Sequence, residues 1–412
     1  MKVLVLQDDF PPKSMGGAGI IAFYFAKAMR EKGHEVSVIT AVQDKADEGE
    51  LDYEGLKIFR IYSKYHARWQ PYLSLYNPRT VSKVERIINQ IKPDIVHAHN
   101  IHYHLSYHAL KLAKESGAKV FLTVHDVMLF HYGKLPESIS AKGSSSKPGS
   151  YKVSVWQQIK MYKKRYNPFR NIIINYYIKN VDNIIACCTT LAEVLRQNGI
   201  KDVRVLHNGI NVKDFNASQE SVEEFRKKHN LNGKKILFFG GRISKSKGGD
   251  LALNLLIEVS KIIPNVCLVI AGRVDEYVST LVDKASRAGV GDKIKTLGWL
   301  NRDEIVPAYL VSDVVLSIAL YMDSFPTVNL EAMATKKPVI GSCYSGTKEA
   351  VVDGETGYVV DPRNEPLLIA RTIELLKNDS MAKKFGQAGF DRVVREYDLV
   401  GQADKLESIY KS

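Results

Sequence analysis

The 412-residue chain has few cysteines, fewer acids than bases and no long apolar run. Its four cysteines, Cys187, Cys188, Cys267 and Cys343, contain one adjacent pair and no Cys-x-x-Cys spacing, which excludes a disulfide scaffold, a zinc ribbon and a dithiol redox motif. They read as small buried apolar residues in a reducing compartment. No apolar stretch approaches the roughly 18 residues of a membrane span. The opening MKVLVLQDD reaches two aspartates too soon for a signal-peptide core and reads as a first strand. A cytoplasmic chain is therefore expected, with any membrane contact peripheral, at the inner face. The shortage of acids leaves a formal charge of +13, which points to an anionic partner: a phosphorylated ligand, a membrane surface or nucleic acid.

With 45% hydrophobic and 25% charged residues, a chain of this length is too apolar for disorder and too long for one core of ordinary size. Short β-rich runs alternate with amphipathic helical stretches. VLVL at 3–6, a helical pattern over 20–31, EVSVIT at 35–40, DIVHAH at 94–99, KVFLTV at 119–124 and DNIIAC at 182–187 form one series. KKILFFG at 234–240, NVCLVIAG at 265–272, DKIKTLG at 292–298, DVVLSIAL at 313–320 and KPVIGS at 337–342 form a second. This is the rhythm of parallel sheets covered by helices, and its restart predicts two tandem doubly wound, Rossmann-like α/β domains. The join is expected within VRVLHNGINVKDF, giving domains over 1–205 and 206–396. The last helix, about 397–412, has no strand left to cover in its own domain and is expected to return to the first.

Two segments carry chemistry. FFGGRISKSKGG at 238–249 is a glycine-containing turn between a strand and a helix, with Gly241, Arg242 and Lys247 in it. Glycines let a ligand approach the backbone, and two cations suit a diphosphate, each charge-assisted hydrogen bond contributing roughly 1.5–3 kcal/mol. In LYMDSFPTVNLEAMATKKPVIG at 320–341, Pro326 fits the first turn of a helix. The amides of Thr327, Val328 and Asn329 would then head that helix as a phosphate site. Glu331, beside an Ala-Met-Ala run, would accept hydrogen bonds from a ribose diol. Asp323 lies seven residues before it.

Together with FPPKSMGGAG, PDIVHAH, TVHD, VLHNGI, LGWL and SGTKEAVVDGETGYVVDP, these segments resemble, in order, the retaining GT-B glycosyltransferases of family four, whose signature is Glu-x7-Glu. The resemblance covers nearly the whole chain. It implies transfer of a sugar from a nucleotide-diphosphate donor with retention at the anomeric carbon, without a cofactor or catalytic metal. The donor would sit in the second domain, the acceptor in the first, and the reaction in a cleft between them. The attack implied is front-side, with a leaving phosphate oxygen deprotonating the acceptor hydroxyl. In keeping with this, the sequence holds no carboxylate pair or Ser-His-Asp set of the hydrolase kinds.

By the same resemblance Arg242 and Lys247 grip the diphosphate, Thr327 and Val328 donate backbone N–H groups to it, and Glu331 binds the ribose. Gly298 in LGWL lies where the base binds. Asp323 takes the first acidic position, where the family more often has the longer Glu. Gly16 and Gly17 match the loop that approaches donor phosphate and acceptor, and His125 matches a histidine near the reacting sugar. The base, UDP or GDP, and the sugar stay open. The acceptor implied is a glycan or lipid-linked hydroxyl in cell-envelope polysaccharide or glycolipid synthesis. A nucleotide-sugar epimerase of the same design and a non-catalytic nucleotide-binding subunit are the alternatives.

Three further features need assignment. GAGIIA at 17–22 fits G-x-G-x-x-A, but it starts some ten residues after the first strand, too late for a dinucleotide turn. His97, His99, His102, His104 and His108 suggest a metal cluster, with His102 and His104 on one strand face, yet no acid or cysteine completes a ligand set, so no metal is expected. Segment 134–179 holds ten basic residues, Lys134, Lys142, Lys147, Lys152, Lys160, Lys163, Lys164, Arg165, Arg170 and Lys179, against the single acid Glu137. It opens with the flexible-reading SAKGSSSKPGS and interleaves cations with aromatics. Without a nucleic-acid motif, it reads as an anionic-lipid contact beside the acceptor rather than as an RNA- or DNA-binding face.

Overall fold

The computed structural model describes residues 1–13, 16–135, 151–344 and 346–412. Glu137, Lys142, Lys147 and the SAKGSSSKPGS stretch lie outside the described residues, as do Ser14, Met15 and Ser345. The chain divides into two compact units, one of Met1–Gly209 with Leu399–Ser412, the other of Ile210–Asp398.

The first unit is built on eight strands: β1 Lys2–Gln7, β2 Glu35–Val42, β3 Gly49–Tyr53, β4 Leu56–Tyr62, β5 Ile95–Ala98, β6 Lys119–Val124, β7 Asn183–Ala186 and β8 Val203–Val205. Their order is β3-β4-β2-β1-β5-β6-β7-β8, parallel throughout except that β3 runs antiparallel to β4. The central strands are near-continuous runs of Val, Ile, Leu and Ala because helices bury both of their faces. Strand β3 escapes the apolar pattern: GELDY carries one aliphatic residue and edges the sheet with no fully buried position. Helix α1, Gly17–Glu31, starts three residues before the Ile20 expected, so Gly17 is helical and Gly16 is the residue preceding the helix. The Gly16 carbonyl accepts from Gly19 and Ile20 N–H at 3.1 and 3.3 Å.

Two shorter helices, α2 Val155–Tyr162 and α3 Arg170–Ile178, follow the undescribed stretch. Not every cation here is on the surface. Arg170 is fully buried, with its guanidinium bonded to the Met128 carbonyl and to Asn171 Oδ1 at 3.1 Å and lying 4.7 Å over the Tyr132 ring. Its charge belongs to the interior, because carbonyl and aromatic partners replace the water it loses.

The second unit has β9 Lys235–Gly240, β10 Val266–Ala271, β11 Ile294–Gly298, β12 Val314–Ser317, β13 Val339–Ser342 and β14 Gly357–Val360, in the order β11-β10-β9-β12-β13-β14, with every pairing parallel. The strand order reverses between β9 and β12, and a doubly wound sheet binds ligands at such a switch point, beyond the carboxyl ends of its strands. Helices α4 Gly249–Ser260, α5 Arg302–Val311 and α6 Thr327–Ala334 flank that point.

Helix α7, Leu399–Lys411, buries Leu399, Gln402, Ala403, Leu406 and Tyr410, a stripe at helical spacing that joins the core formed with Ile21, Phe25 and Met29 of α1. It completes the first unit. Among the described residues no helix is long and apolar enough to cross a membrane.

Candidate active site

The segments over 238–249 and 320–341 meet at the switch point of the second sheet. The Leu320 N–H donates to the Ser246 carbonyl at 2.8 Å. Gly248 takes φ +93°, and a Cβ there would collide with the Ile318 carbonyl, so two backbones touch where only glycine fits. This contact brings Lys247 Nζ onto Asp323 Oδ2 in an ion pair, with the Tyr321 ring centroid 5.6 Å from the ammonium. Burial works to lower the Lys247 pKa, but the Asp323 carboxylate and Tyr321 outweigh it and hold the ammonium above its ordinary value. Arg242, three residues beyond Phe239 of the Phe238–Phe239 core pair, is exposed.

Glu331 lies one turn into α6. Its Oε2 accepts from Tyr309 Oη of α5 at 2.6 Å, and Thr327 hydrogen-bonds it from the preceding turn. Burial raises the carboxyl above its ordinary range, with the two hydroxyls pulling the other way. Two expectations are corrected here. Pro326 is the residue before the helix rather than within its first turn, with extended backbone (ψ 121°). The Asn329 N–H is not available to a phosphate, because it donates to the Pro326 carbonyl at 3.2 Å and closes the first turn. Thr327 and Val328 head the helix.

Along the carboxyl ends of β9, β10 and β11 three glycines form a ledge. Gly241 N–H donates to Ala271 O and Gly272 N–H to Gly298 O, both at 2.8 Å, and a Cβ on Gly272 would strike the Gly241 carbonyl. Gly272 was missed in the sequence because it sits in no motif; its signal was a glycine directly after a strand.

In the first unit, His125 follows β6. Its Nε2 lies 2.9 Å from His99 Nδ1, and the same ring hydrogen-bonds the Cys187 thiol. The neighbouring Cys188 first, and His125 after it, draw that thiol down to about 6 against the effect of burial. The histidines are only partly dispersed: the His97 ring stacks on His99 at 4.3 Å, and His99 on His125 at 5.2 Å. His97, held down to about 3 by burial, bridges Tyr410 Oη at 2.6 Å and Thr123 Oγ1 at 2.7 Å. His104 and His108 bond Ser63 Oγ and Tyr177 Oη, each at 3.1 Å. His102 and His104 lie in a turn and not on a strand. Among the described residues no group of three His, Cys, Asp or Glu is placed to hold a metal. Cys187, Cys188 and Cys267 are buried as expected, whereas Cys343 is only partly so.

Two parallel-sheet Rossmann-like units with a polar site at a switch point define a GT-B glycosyltransferase fold. Sucrose-phosphate synthase from Thermosynechococcus elongatus superposes with TM-score 0.79 at 17% identity, over 100% of this chain and 98% of that one. HepE of Anabaena, solved with UDP and glucose, gives 0.75 at 16% identity, over 100% and 99%. The family described as Glycosyltransferase Family 4 matches residues 15–214, and that described as Glycosyl transferases group 1 matches residues 221–392. The uncharacterized glycosyltransferase MJ1607 of Methanocaldococcus jannaschii is 26% identical over 384 residues, 92% of this chain and 90% of that protein. The chain belongs to the family-four, group 1 glycosyltransferases.

Proposed function

We propose that this enzyme is a retaining, metal-independent hexosyltransferase that moves a sugar from a UDP- or GDP-sugar to a hydroxyl of a glycan or lipid-linked acceptor, in cell-envelope polysaccharide or glycolipid synthesis. The carrying observation is the meeting of the 238–249 and 320–341 segments at the β9/β12 switch point, which puts a cation, a carboxylate and a helix head on one ligand-binding edge. In this reading Lys247 exchanges Asp323 for the donor diphosphate, and Arg242 joins it there. The Thr327 and Val328 amides take phosphate oxygens, Glu331 takes the ribose, and the Gly241–Gly298 ledge admits the base without side-chain obstruction. Asp323, Gly16, Gly17 and His125 face the sugar and the acceptor. For His125 this requires a turn of the ring away from His99. Two cations and two amides neutralise the pyrophosphate as it leaves, so the reading needs no metal ion.

A panel of UDP- and GDP-sugars followed by thermal melting tests the donor, since a ligand at one hundred times its Kd stabilises by about 2.7 kcal/mol. Proton NMR of the product then reads the anomer. Transfer with retention, undiminished by EDTA, is expected; a 2-epimer or an inverted anomer overturns the assignment.

A lipid contact through α2 and α3 fits the same reading. Trp156, Phe169 and Ile172 are 79%, 65% and 67% exposed, among the exposed cations Lys152, Lys160, Lys163, Arg165 and Lys179. Apolar side chains ringed by Lys and Arg suit an anionic bilayer surface at the cytoplasmic face. Co-sedimentation with phosphatidylglycerol-containing vesicles but not with pure phosphatidylcholine is expected. Equal binding to both, or to neither, defeats it.

A further inference from the structure

The first unit contains a cavity of about 450 Å³ at the carboxyl ends of β1, β2 and β4. Thr40 of β2 and Arg60 of β4 are register partners across the parallel ladder, so both side chains leave the same face of the sheet and line that cavity. The β3–β4 ribbon puts Gly49 opposite Arg60, so no side chain from β3 covers the guanidinium from that side. Thr40 is 3% exposed, and its Oγ1 is buried without a hydrogen-bond partner among the described residues. The Arg60 Nε is buried and unpartnered in the same sense. Folded proteins pair nearly all such atoms, so two of them on register-paired residues that line one cavity point to a ligand that supplies the partners.

The charges around them decide its class. Four carboxylates, Asp8, Asp9, Asp44 and Asp47, line the cavity against two cations, Lys13 and Arg60. Asp8 is committed to the N–H groups of Tyr103, His104 and Leu105 at 2.7, 2.9 and 2.7 Å. Lys13 is committed to both oxygens of Asp47 at 2.7 and 2.6 Å. A phosphate or carboxylate ligand would therefore meet one uncommitted cation and an excess of negative charge. A hydroxyl suits every side of the cavity, because it accepts from Arg60 and donates to a carboxylate. The Tyr103 ring, 46% exposed at the rim, adds a flat apolar surface of the kind that the C–H face of a pyranose covers.

We propose that this cavity is a subsite for an uncharged, hydroxyl-rich sugar ring of the acceptor, with Thr40 and Arg60 setting its specificity. The inference rests on the transferase reading for its biological sense, but it uses none of the residues assigned to the donor there, so the two fail separately. The acceptor end of the reaction then carries a neutral hexose next to the hydroxyl that is glycosylated.

The test uses the full chain and ligand-detected saturation-transfer NMR. The neutral probes are methyl glucoside, methyl galactoside and methyl mannoside; the charged probes are glucuronate and glucose 6-phosphate. UDP binding is measured in parallel. At least one neutral glycoside should bind, and the charged sugars should not compete with it. Thr40→Val and Arg60→Met should each weaken that glycoside roughly threefold to tenfold, the size of one lost hydrogen bond, while UDP affinity stays at the wild-type value. Thr40→Ser keeps the hydroxyl and should retain binding, which separates loss of the contact from damage to the fold. Failure of all neutral glycosides, preference for a charged probe, or unchanged affinity in the variants overturns the subsite. Glycoside binding without UDP binding would overturn the donor reading and leave the subsite standing.

Discussion

Lys247 and Asp323, 76 residues apart in the chain, are joined by an ion pair whose side chains are 27% and 19% exposed. The pair forms because β9 and β12 are neighbours and their outgoing loops touch through Gly248 and Ile318. It holds the ammonium at the switch point, where the proposed function puts the donor diphosphate.

Lys247→Ala should lower kcat/KM for sugar transfer roughly 10- to 100-fold, the loss of one charge-assisted hydrogen bond to the leaving group, with a cooperative melt retained. If the two residues act as a unit, Asp323→Ala and the double variant should be non-additive in a double-mutant cycle. Full turnover in Lys247→Ala contradicts the site.

Glu331 gives a pH-dependent prediction with a definite sign. Its carboxyl is raised above the ordinary 4.5 by burial, against the hydrogen bonds from Tyr309 and Thr327. The folded state therefore binds this proton more tightly than the unfolded state. Stability from this residue falls as pH rises from the unfolded value through the folded one, and stays lower above both. Glu331→Gln removes the ionisation, so its Tm relative to wild type should rise as pH climbs above the ordinary carboxyl value of 4.5, while transfer falls. Parallel melting curves over that range would show that Glu331 is not held as described.

Gly248→Ala places a methyl group against the Ile318 carbonyl at a φ of +93°. It should destabilise by more than about 1 kcal/mol and weaken UDP binding with it, because the loop cannot close on Ser246. Calorimetric titration with UDP, together with denaturant unfolding, measures both effects.

Arg170 separates interior charge from surface charge in the basic segment. Arg170→Met leaves the Met128 carbonyl without its donor, at about 1–3 kcal/mol. Lys160→Met on the exposed face should stay within about 0.5 kcal/mol and instead reduce sedimentation with anionic vesicles. Urea midpoints and vesicle pelleting of both variants read the two effects independently.

Much of this was legible in one dimension. Uninterrupted Val, Ile and Leu runs marked the central strands, because a strand buried on both faces has no polar positions. The polar edge strand β3 carries no such mark, β4 breaks its apolar run with Lys57 and Arg60, and β8 and β14 are too short to show one. The two segments that meet at the switch point were legible because glycines, cations and a helix start fall close together in each stretch of sequence. Helix α7 was expected to leave its domain because its stripe had no strand to cover, and it lies in the first unit against α1.

The sequence alone determined the alternation of elements, the two restarted series and the spacing of Arg242, Lys247, Asp323 and Glu331, since all of these are properties of short stretches of chain. Only the tertiary structure decided that Lys247 pairs with Asp323, that Tyr309 reaches Glu331, that Arg170 turns inward and that His97, His104 and His108 bond different hydroxyl groups. Each of those outcomes depends on which strands become neighbours and which side chains lose water together, and both are settled by packing between residues far apart in the chain.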